Sequence, residues 1–518
     1  LQFITGNSGN GKTKYLFNRI VKEAKANPRD NYLVIVPEQF TMQTQRQLVD
    51  LSENKAIMNI DVLSFKRLAY RVFDELGITN LTVLEETGKN LVLRKLAAQE
   101  ADKLGVIGRN LNRIGYISEV KSLLSELVQY NISPEELGRY IASGRLSDTL
   151  SDKLKDVLVL YEAFEKFMQD KYITAEEILN VLSNVAEESV ILRNSVIAFD
   201  EFTGFTPIQN QLIKKLFVIS KKIYVTLTID CRENIFKSRG MQELFDMPKR
   251  TVKSLTEMAA FYGIEVEEPI ILDKNYRLAE NEELSFMEQQ LFRKQRRSFK
   301  KAPKHIHIDC LRDPKQELTK IARRINELVR NENLRYRDIA IVTGDVNIYA
   351  GYVREIFDKY NIPYFIDATQ EILFHPFIEF IRSIPDIAAQ NFSADAVFRF
   401  LRCGFTELTD SEIDVLENYV LACGVRGKSA WDKKWVRLPK HKAGYDLELL
   451  NQSREYIMEL LKPVYQVFSD KKSTVKDYVL AIYKLIVLLD IPDKLAKKEQ
   501  ALLDAGDPQK SEHRICRE

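Results

Sequence analysis

A chain of 518 residues is too long for one hydrophobic core, and its 45% hydrophobic and 29% charged content is that of an ordinary globular protein. A formal net charge of +2, from 76 basic and 74 acidic residues, excludes a general polycation, so a nucleic-acid surface would have to come from local patches. The five cysteines lie far apart with no C-x-x-C pair, and no apolar run is long enough to span a bilayer; free thiols in the cytoplasm are expected, with no membrane partner, disulfide framework or zinc site.

Three or four domains are expected. The first element is the apolar run "LQFIT" (1–5), followed by a glycine-rich turn and a helical pattern from Lys12. Gly6-Asn7-Ser8-Gly9-Asn10-Gly11-Lys12-Thr13 fits G-x-x-x-x-G-K-[ST], a phosphate-binding loop. Glycines at 6, 9 and 11 permit positive φ and close backbone approach, and the amides converge with a helix N-terminus on one anion site. Lys12 would reach the β/γ-phosphates of ATP and Thr13 would ligate Mg²⁺.

"NYLVIVPEQ" (31–39), "SVIAFDE" (195–201) and "KIYVTLTID" (222–230) are nearly continuous apolar runs, suited to a parallel sheet covered on both faces. "VPEQFTMQTQRQ" continues the first of these, at the strand end where open α/β sheets bind ligands. Its Gln39 and Thr41 are groups that bond phosphates and base edges. "DVLSFKRLAYRV" interleaves aromatics with cations. Phe65 or Tyr70 would stack a base while Arg67 pairs with a base edge or phosphate, and Leu63, Leu68 and Val72 belong to the core. From 84 to 190 the period turns helical, an insertion splitting an α/β unit made of 1–83 and 191–290.

Asp200 and Glu201 end the run 195–201, placed to hold Mg²⁺ and to orient an attacking water respectively. In "ILDKNYRLAENEEL", Arg277 is either a charge stabiliser at the γ-phosphate or a capping surface arginine. The segment 291–304 carries seven Lys or Arg and reads as a basic, solvated linker. A second α/β unit over 305–376 is expected from "HIHIDCL", "RDIAIVTG" and "IPYFID" as strands, with a helix entered from Asp313 between the first two. From 377 to 518 the pattern is helical again, with both tryptophans in "SAWDKKWVRLPKHK" turned inward. Starting on Leu1 and stopping at "SEHRICRE", the chain reads as a fragment.

A motor-type ATPase fits the large insertion better than a phosphate-transferring kinase does, since a kinase needs no second α/β unit. The loop, "VPEQFT", "VLSFKRLAYRV", "DEFTGFTPIQ", "YRDIAIVTGD", "IPYFIDATQEILFHPFIEFIRS" and "LENYVLACGVRG" together resemble the AddB family, subunits of bacterial AddAB helicase–nucleases, along essentially all 518 residues. The resemblance implies two RecA-like P-loop NTPase-type domains with helical insertions, as in superfamily 1 helicases. Residues 1–83 with 191–290 would be domain 1A and 84–190 its insertion 1B. Domain 2A would occupy 305–376 and be incomplete, and 377–518 would be a truncated 2B. It further implies an AddA partner subunit, single- and double-stranded DNA as ligands, and double-strand-break repair. An iron–sulfur cluster is expected only in a C-terminal nuclease domain absent from this chain. Residues that would read a Chi-type hotspot are Gln39, Thr41, Phe65, Arg67, Tyr70 and Phe205, although position 70 is often tryptophan in the family. Against an active motor, "DEFT" lacks the glutamine of D-E-x-Q, and "LTIDCREN" lacks its own. Those losses favour a strand-reading, ATP-binding subunit over a translocase, which is the alternative.

Overall fold

Six apolar runs pair into one all-parallel sheet. The computed structural model describes residues 1–505 other than 80–81, 107, 109–114, 145, 170–171, 294–296, 369–371 and 440–443. In chain order the strands are β1 (Gln2–Gly6), β2 (Asn31–Ile35), β3 (Ile60–Leu63), β4 (Val83–Leu84), β5 (Ile173–Thr174), β6 (Ser195–Phe199), β7 (Lys222–Thr228) and β8 (Ile270–Leu272). The large sheet runs β3-β2-β6-β7-β1-β8, with Phe3 opposite Val225 and Leu33 opposite Ile197. Side chains alternate between two cores, as the two-residue period of a strand requires. Phe3, Leu33, Ile35, Ile197, Phe199 and Val225 face one side, where the helices Phe65–Leu76, Ile178–Val185 and Pro207–Ile219 contribute their apolar faces. Ile4, Val34, Val196, Ala198 and Tyr224 face the other, against Leu16, Phe17 and Ile20 of the helix Lys12–Ala26. This is an α/β architecture consistent with a RecA-like fold.

Between β4 and β5, which pair as a short ladder, four helices (Glu86–Gln99, Tyr116–Gln129, Pro134–Ala142, Asp148–Met168) enclose their own core around Leu93, Leu124, Leu160 and Phe164. Buried Lys89 ties the first helix to the returning chain by pairing with Glu176 at 2.7 Å and Glu86 at 2.9 Å.

The chain divides into two compact units, Leu1–Ile308 and a second beginning at Asp309. In the second, Asp313 caps the helix Pro314–Asn331 by accepting from the Gln316 amide at 2.8 Å. That helix packs on Val346–Lys359 through Leu318, Ala322, Ile325, Ile356 and Phe357. The strands expected at 305–311, 337–344 and 362–367 have no ladder partner among the described residues, and Val342 and Phe365 are exposed (92% and 88%). A β-branched, aromatic pattern favours extended backbone, but a parallel strand also needs neighbours for its N–H and C=O groups. No second sheet forms among these residues. The remaining helices, from Pro376–Ala389 to Ile491–Asp504, close around a core that includes Trp431 and Trp435, both turned inward. The end of the tryptophan-bearing segment, 440–442, lies outside the described residues.

Candidate functional site

The C-terminal ends of β1, β6 and β7 converge on a cavity of about 810 Å³. The loop after β1 forms one wall. Gly11 is the N-cap of the helix Lys12–Ala26 with φ of 79°, a left-handed conformation that glycine adopts without a Cβ penalty. Gly9 is also left-handed, and a Cβ there would meet Arg277 and Asn275 within 3 Å.

Lys12 donates from Nζ to the carbonyls of Gly6 and Asn7, both at 3.0 Å. Burial lowers its pKa, opposed by the carboxylates of Glu201 and Asp200. Thr13 Oγ1 donates to Asp200 Oδ1 at 3.4 Å or Glu201 Oε1 at 3.3 Å. β6 stands one strand away from β1, and Thr226 of the intervening β7 donates to Asp200 Oδ1 as well. Asp200 is 1% exposed and its Oδ2 has no hydrogen-bond partner among the described residues. Burial, with Glu201 adding like charge, raises its pKa despite the threonine bonds. An orphaned buried carboxylate oxygen beside a threonine hydroxyl and a second carboxylate is a donor set that fits Mg²⁺. Glu201 is held at φ of 64°, an uncommon conformation for a non-glycine residue that turns its carboxylate toward Thr13.

Ser8, Gly9, Gly11, Lys12, Thr13, Asp200, Glu201 and Arg277 all line this one cavity. Gly6, Asn7 and Asn10 do not; they belong to the loop in another way. Asn7 is buried, donating to Glu288 Oε1 at 2.7 Å and accepting from the Cys231 amide at 2.9 Å. Asn10 donates to the Leu272 carbonyl at 2.6 Å. These asparagines fix the loop's shape. Arg277 Nη1 approaches Ser8 Oγ at 3.3 Å, so it is part of the cavity wall rather than a helix cap.

Sequence reasoning missed three neighbours. Asn275 donates to the Ser8 carbonyl at 2.9 Å, and the Tyr276 amide donates to the Gly9 carbonyl at 3.0 Å. The Tyr276 ring lies beside Gly11, and Thr226 completes the carboxylate's surroundings. Adjacency to Arg277 was the available signal for the first two; Thr226 gave none beyond its place in a strand.

The second group of residues gathers at the ends of β2 and β3. Ser64 caps the helix Phe65–Leu76, accepting from the Arg67 amide, and donates to Glu38 Oε2 at 3.0 Å. Glu38 Oε1 lies 3.6 Å from Arg67 Nε, and both side chains are more than half exposed. Gln39 is exposed, Tyr70 is partly exposed beside Phe73, and Thr41 is buried with its hydroxyl on the Glu38 carbonyl. Phe65 corrects the expectation of a surface stacking residue. It is buried, packed against Phe199, Phe202 and Phe205, because the first helical position falls on the same face as Leu68, Ala69 and Val72. Phe205, partly buried, belongs to the same aromatic cluster. A cleft of about 320 Å³ remains between Glu38, Lys66, Phe202 and Gln209. Glu38, which organises Arg67 and Ser64, was also missed.

Residues 3–288, more than half of the chain, match the family model described as "ADDB, N-terminal". The chain is 39% identical over 502 residues to the B-type subunit of the ATP-dependent helicase/deoxyribonuclease of Lachnoclostridium phytofermentans, covering 96% of this chain and 44% of that protein. It is 32% identical to the proteins of the same name from Clostridium tetani and Clostridioides difficile, covering 96% and 98% of this chain and 44% and 45% of theirs. The chain thus spans less than half the length of the curated relatives it matches. From the match over its first unit and the similarity along nearly its whole length, the chain belongs to the AddB N-terminal family.

Proposed function

We propose that this chain is the nucleotide- and strand-binding portion of an AddB-type helicase–nuclease subunit. In this reading it binds ATP with Mg²⁺ through the loop after β1 and inspects single-stranded DNA for a Chi-type hotspot on the neighbouring face. The supporting observation is positional. A glycine-loop cavity with an orphaned carboxylate oxygen, and a cleft lined by Glu38, Ser64, Lys66 and Gln209 with Arg67 beside Glu38, lie at the carboxyl ends of the strands of one parallel sheet.

Ser8 to Thr13 and Arg277 would hold the polyphosphate, and Thr13 with Asp200 would hold the cation. Bound Mg²⁺ would neutralise developing phosphate charge. Glu201 is placed to accept a proton or orient a water. On the other face, Arg67 would meet a base edge or phosphate, Gln39 a base edge, and Tyr70 would stack, while Phe65 and Phe205 support them from behind. Work on double-strand breaks, an AddA-type partner and contact with duplex DNA are part of the same reading, as is a nuclease with an iron–sulfur cluster in the remainder of the full-length protein.

A second reading, an active superfamily 1 translocase, is favoured by the retention of Lys12, Thr13, Asp200, Glu201 and Arg277 around one cavity. ATP hydrolysis measured with and without single-stranded DNA separates the two. Tight strand binding with negligible turnover supports the scaffold reading, and strong stimulation lost in Lys12→Ala supports the motor. Lys12→Ala is expected to lose nucleotide binding while keeping the melting temperature without nucleotide. A collapse of that melting temperature would make the loop structural.

A further inference from the structure

Within the first unit a second cavity, of about 650 Å³, is lined by described residues between Glu283 and Ile306. Its apolar walls are Phe286, Phe292 and Phe299, with the rings of Phe286 and Phe299 at 5.3 Å. Its cations are Arg293, Arg297 and Lys301. Lys301 pairs with Glu282, whereas Arg297 is exposed. The carboxylate at the rim, Glu283, is occupied by the amides of Lys304 and His305 at 2.7 and 2.9 Å.

Two features are unusual for a solvated linker. Arg293 lies over the Phe245 ring and donates from Nη2 to buried Asp230 at 2.7 Å, yet its Nε and Nη1 are buried with no partner among the described residues. Buried guanidinium donors without acceptors are costly, and an anion would satisfy them. Phe292 is 78% exposed and sits at φ of 57°, a conformation that a bulky residue holds only when its surroundings fix it. Its ring is therefore displayed at the cavity's edge by the backbone, not packed away.

We propose that this cavity is an additional single-stranded DNA contact, taking one nucleotide with its base against Phe292 and Phe299 and its phosphate on Arg293 and Arg297. Aromatic faces interleaved with guanidinium groups suit an unpaired nucleotide, which offers a π-face and an anion together. The relatives' names, helicase and deoxyribonuclease, are compatible with that ligand class. The inference rests on the single-strand reading above but needs none of the residues at the ends of β2 and β3.

The test is the affinity of the 518-residue chain for a fluorescent dT20 oligonucleotide at two salt concentrations, beside its melting temperature. Phe292→Gly is expected to keep or raise the melting temperature, since glycine relieves the left-handed backbone. It is also expected to raise Kd at least about fivefold. Arg297→Glu is expected to raise Kd and flatten its salt dependence. Unchanged affinity in both variants overturns the proposal, and if Arg67→Ala still weakens binding, the recognition face survives without it. No binding by the wild-type chain overturns both. A poly-glutamate peptide whose binding is lost in both variants, while dT20 affinity holds, would give the cavity to a protein partner and overturn the DNA assignment.

Discussion

Asp200 carries a carboxyl group that the fold alone does not fully satisfy. Its carboxylate is buried, one oxygen has no partner, and Glu201 adds like charge. Asp200→Asn is therefore expected to raise the melting temperature in Mg²⁺-free buffer by a few degrees, on the scale of about 1 kcal/mol. In the proposed reading Mg²⁺-ATP would stabilise the wild type, and the same variant is expected to lose that stabilisation; a lower melting temperature without Mg²⁺ would show the carboxylate to be satisfied already. At the other face, Arg67→Ala is expected to weaken binding of a preferred sequence by about 1–3 kcal/mol and of random strands far less. Equal losses on all sequences would mean that Arg67 meets only phosphates. Residue identities marked the loop and the acids as candidates because their chemistry is tied to a spacing, and left Arg277 open between two roles; the acids, Arg277 and most of the loop line one cavity. Those identities did not announce that Asn7 and Asn10 point away from the cavity, nor that Phe65 is buried. Side-chain direction follows from the packing of distant segments, and position 65 reads equally well as core or surface until Phe199 and Phe205 are known to lie over it.

Among the elements, β1, β2, β6 and β7 were legible because strands covered on both faces must be apolar throughout. β3 and β8 escaped notice as the short strands at the sheet's two edges, where partial exposure dilutes the pattern. The opposite error occurred at 305–311, 337–344 and 362–367, where the composition of a strand is present without a neighbour to pair with. Just beyond the C-terminal end of β7, Asp230 accepts from Arg232 of its own loop and from Arg293, which follows the helix Glu282–Gln290. Burial alone would raise its pKa, but the Arg232 side chain and amide, with Arg293, hold it at about 2. A depressed carboxyl stabilises the fold above its unfolded pKa near 4, and that stability fades as pH falls toward 2. The contribution is about 2 kcal/mol. Asp230→Ala is expected to cost about 3–5 kcal/mol at neutral pH, because Arg293 would keep a buried, unpaired charge. Denaturant midpoints that match the wild type at pH 7 would show the pair to be dispensable.

For the molecule as a whole, the two compact units have separate cores, and both tryptophans of the chain lie in the second. The cavity beside the glycine-rich loop after β1 lies in the first. Tryptophan fluorescence therefore reports unfolding of the second unit, while Mg²⁺-ATP, in the proposed reading, would act on the first by mass action. With saturating Mg²⁺-ATP, circular dichroism is expected to show a transition moving upward while the tryptophan midpoint stays in place. One coincident transition, shifting equally by both probes, would show that the units unfold as a single cooperative body.

The clasp on the glycine-rich loop has a consequence for biosynthesis. Asn275 reaches back 267 positions to hold Ser8, and β1 is flanked by β7 and β8, which the ribosome makes long afterwards. β1 must therefore wait for both of its neighbours until the whole helical insertion has been translated. Nucleotide cannot assist the nascent chain early, because the pocket that would receive it is among the last parts of the first unit to be finished.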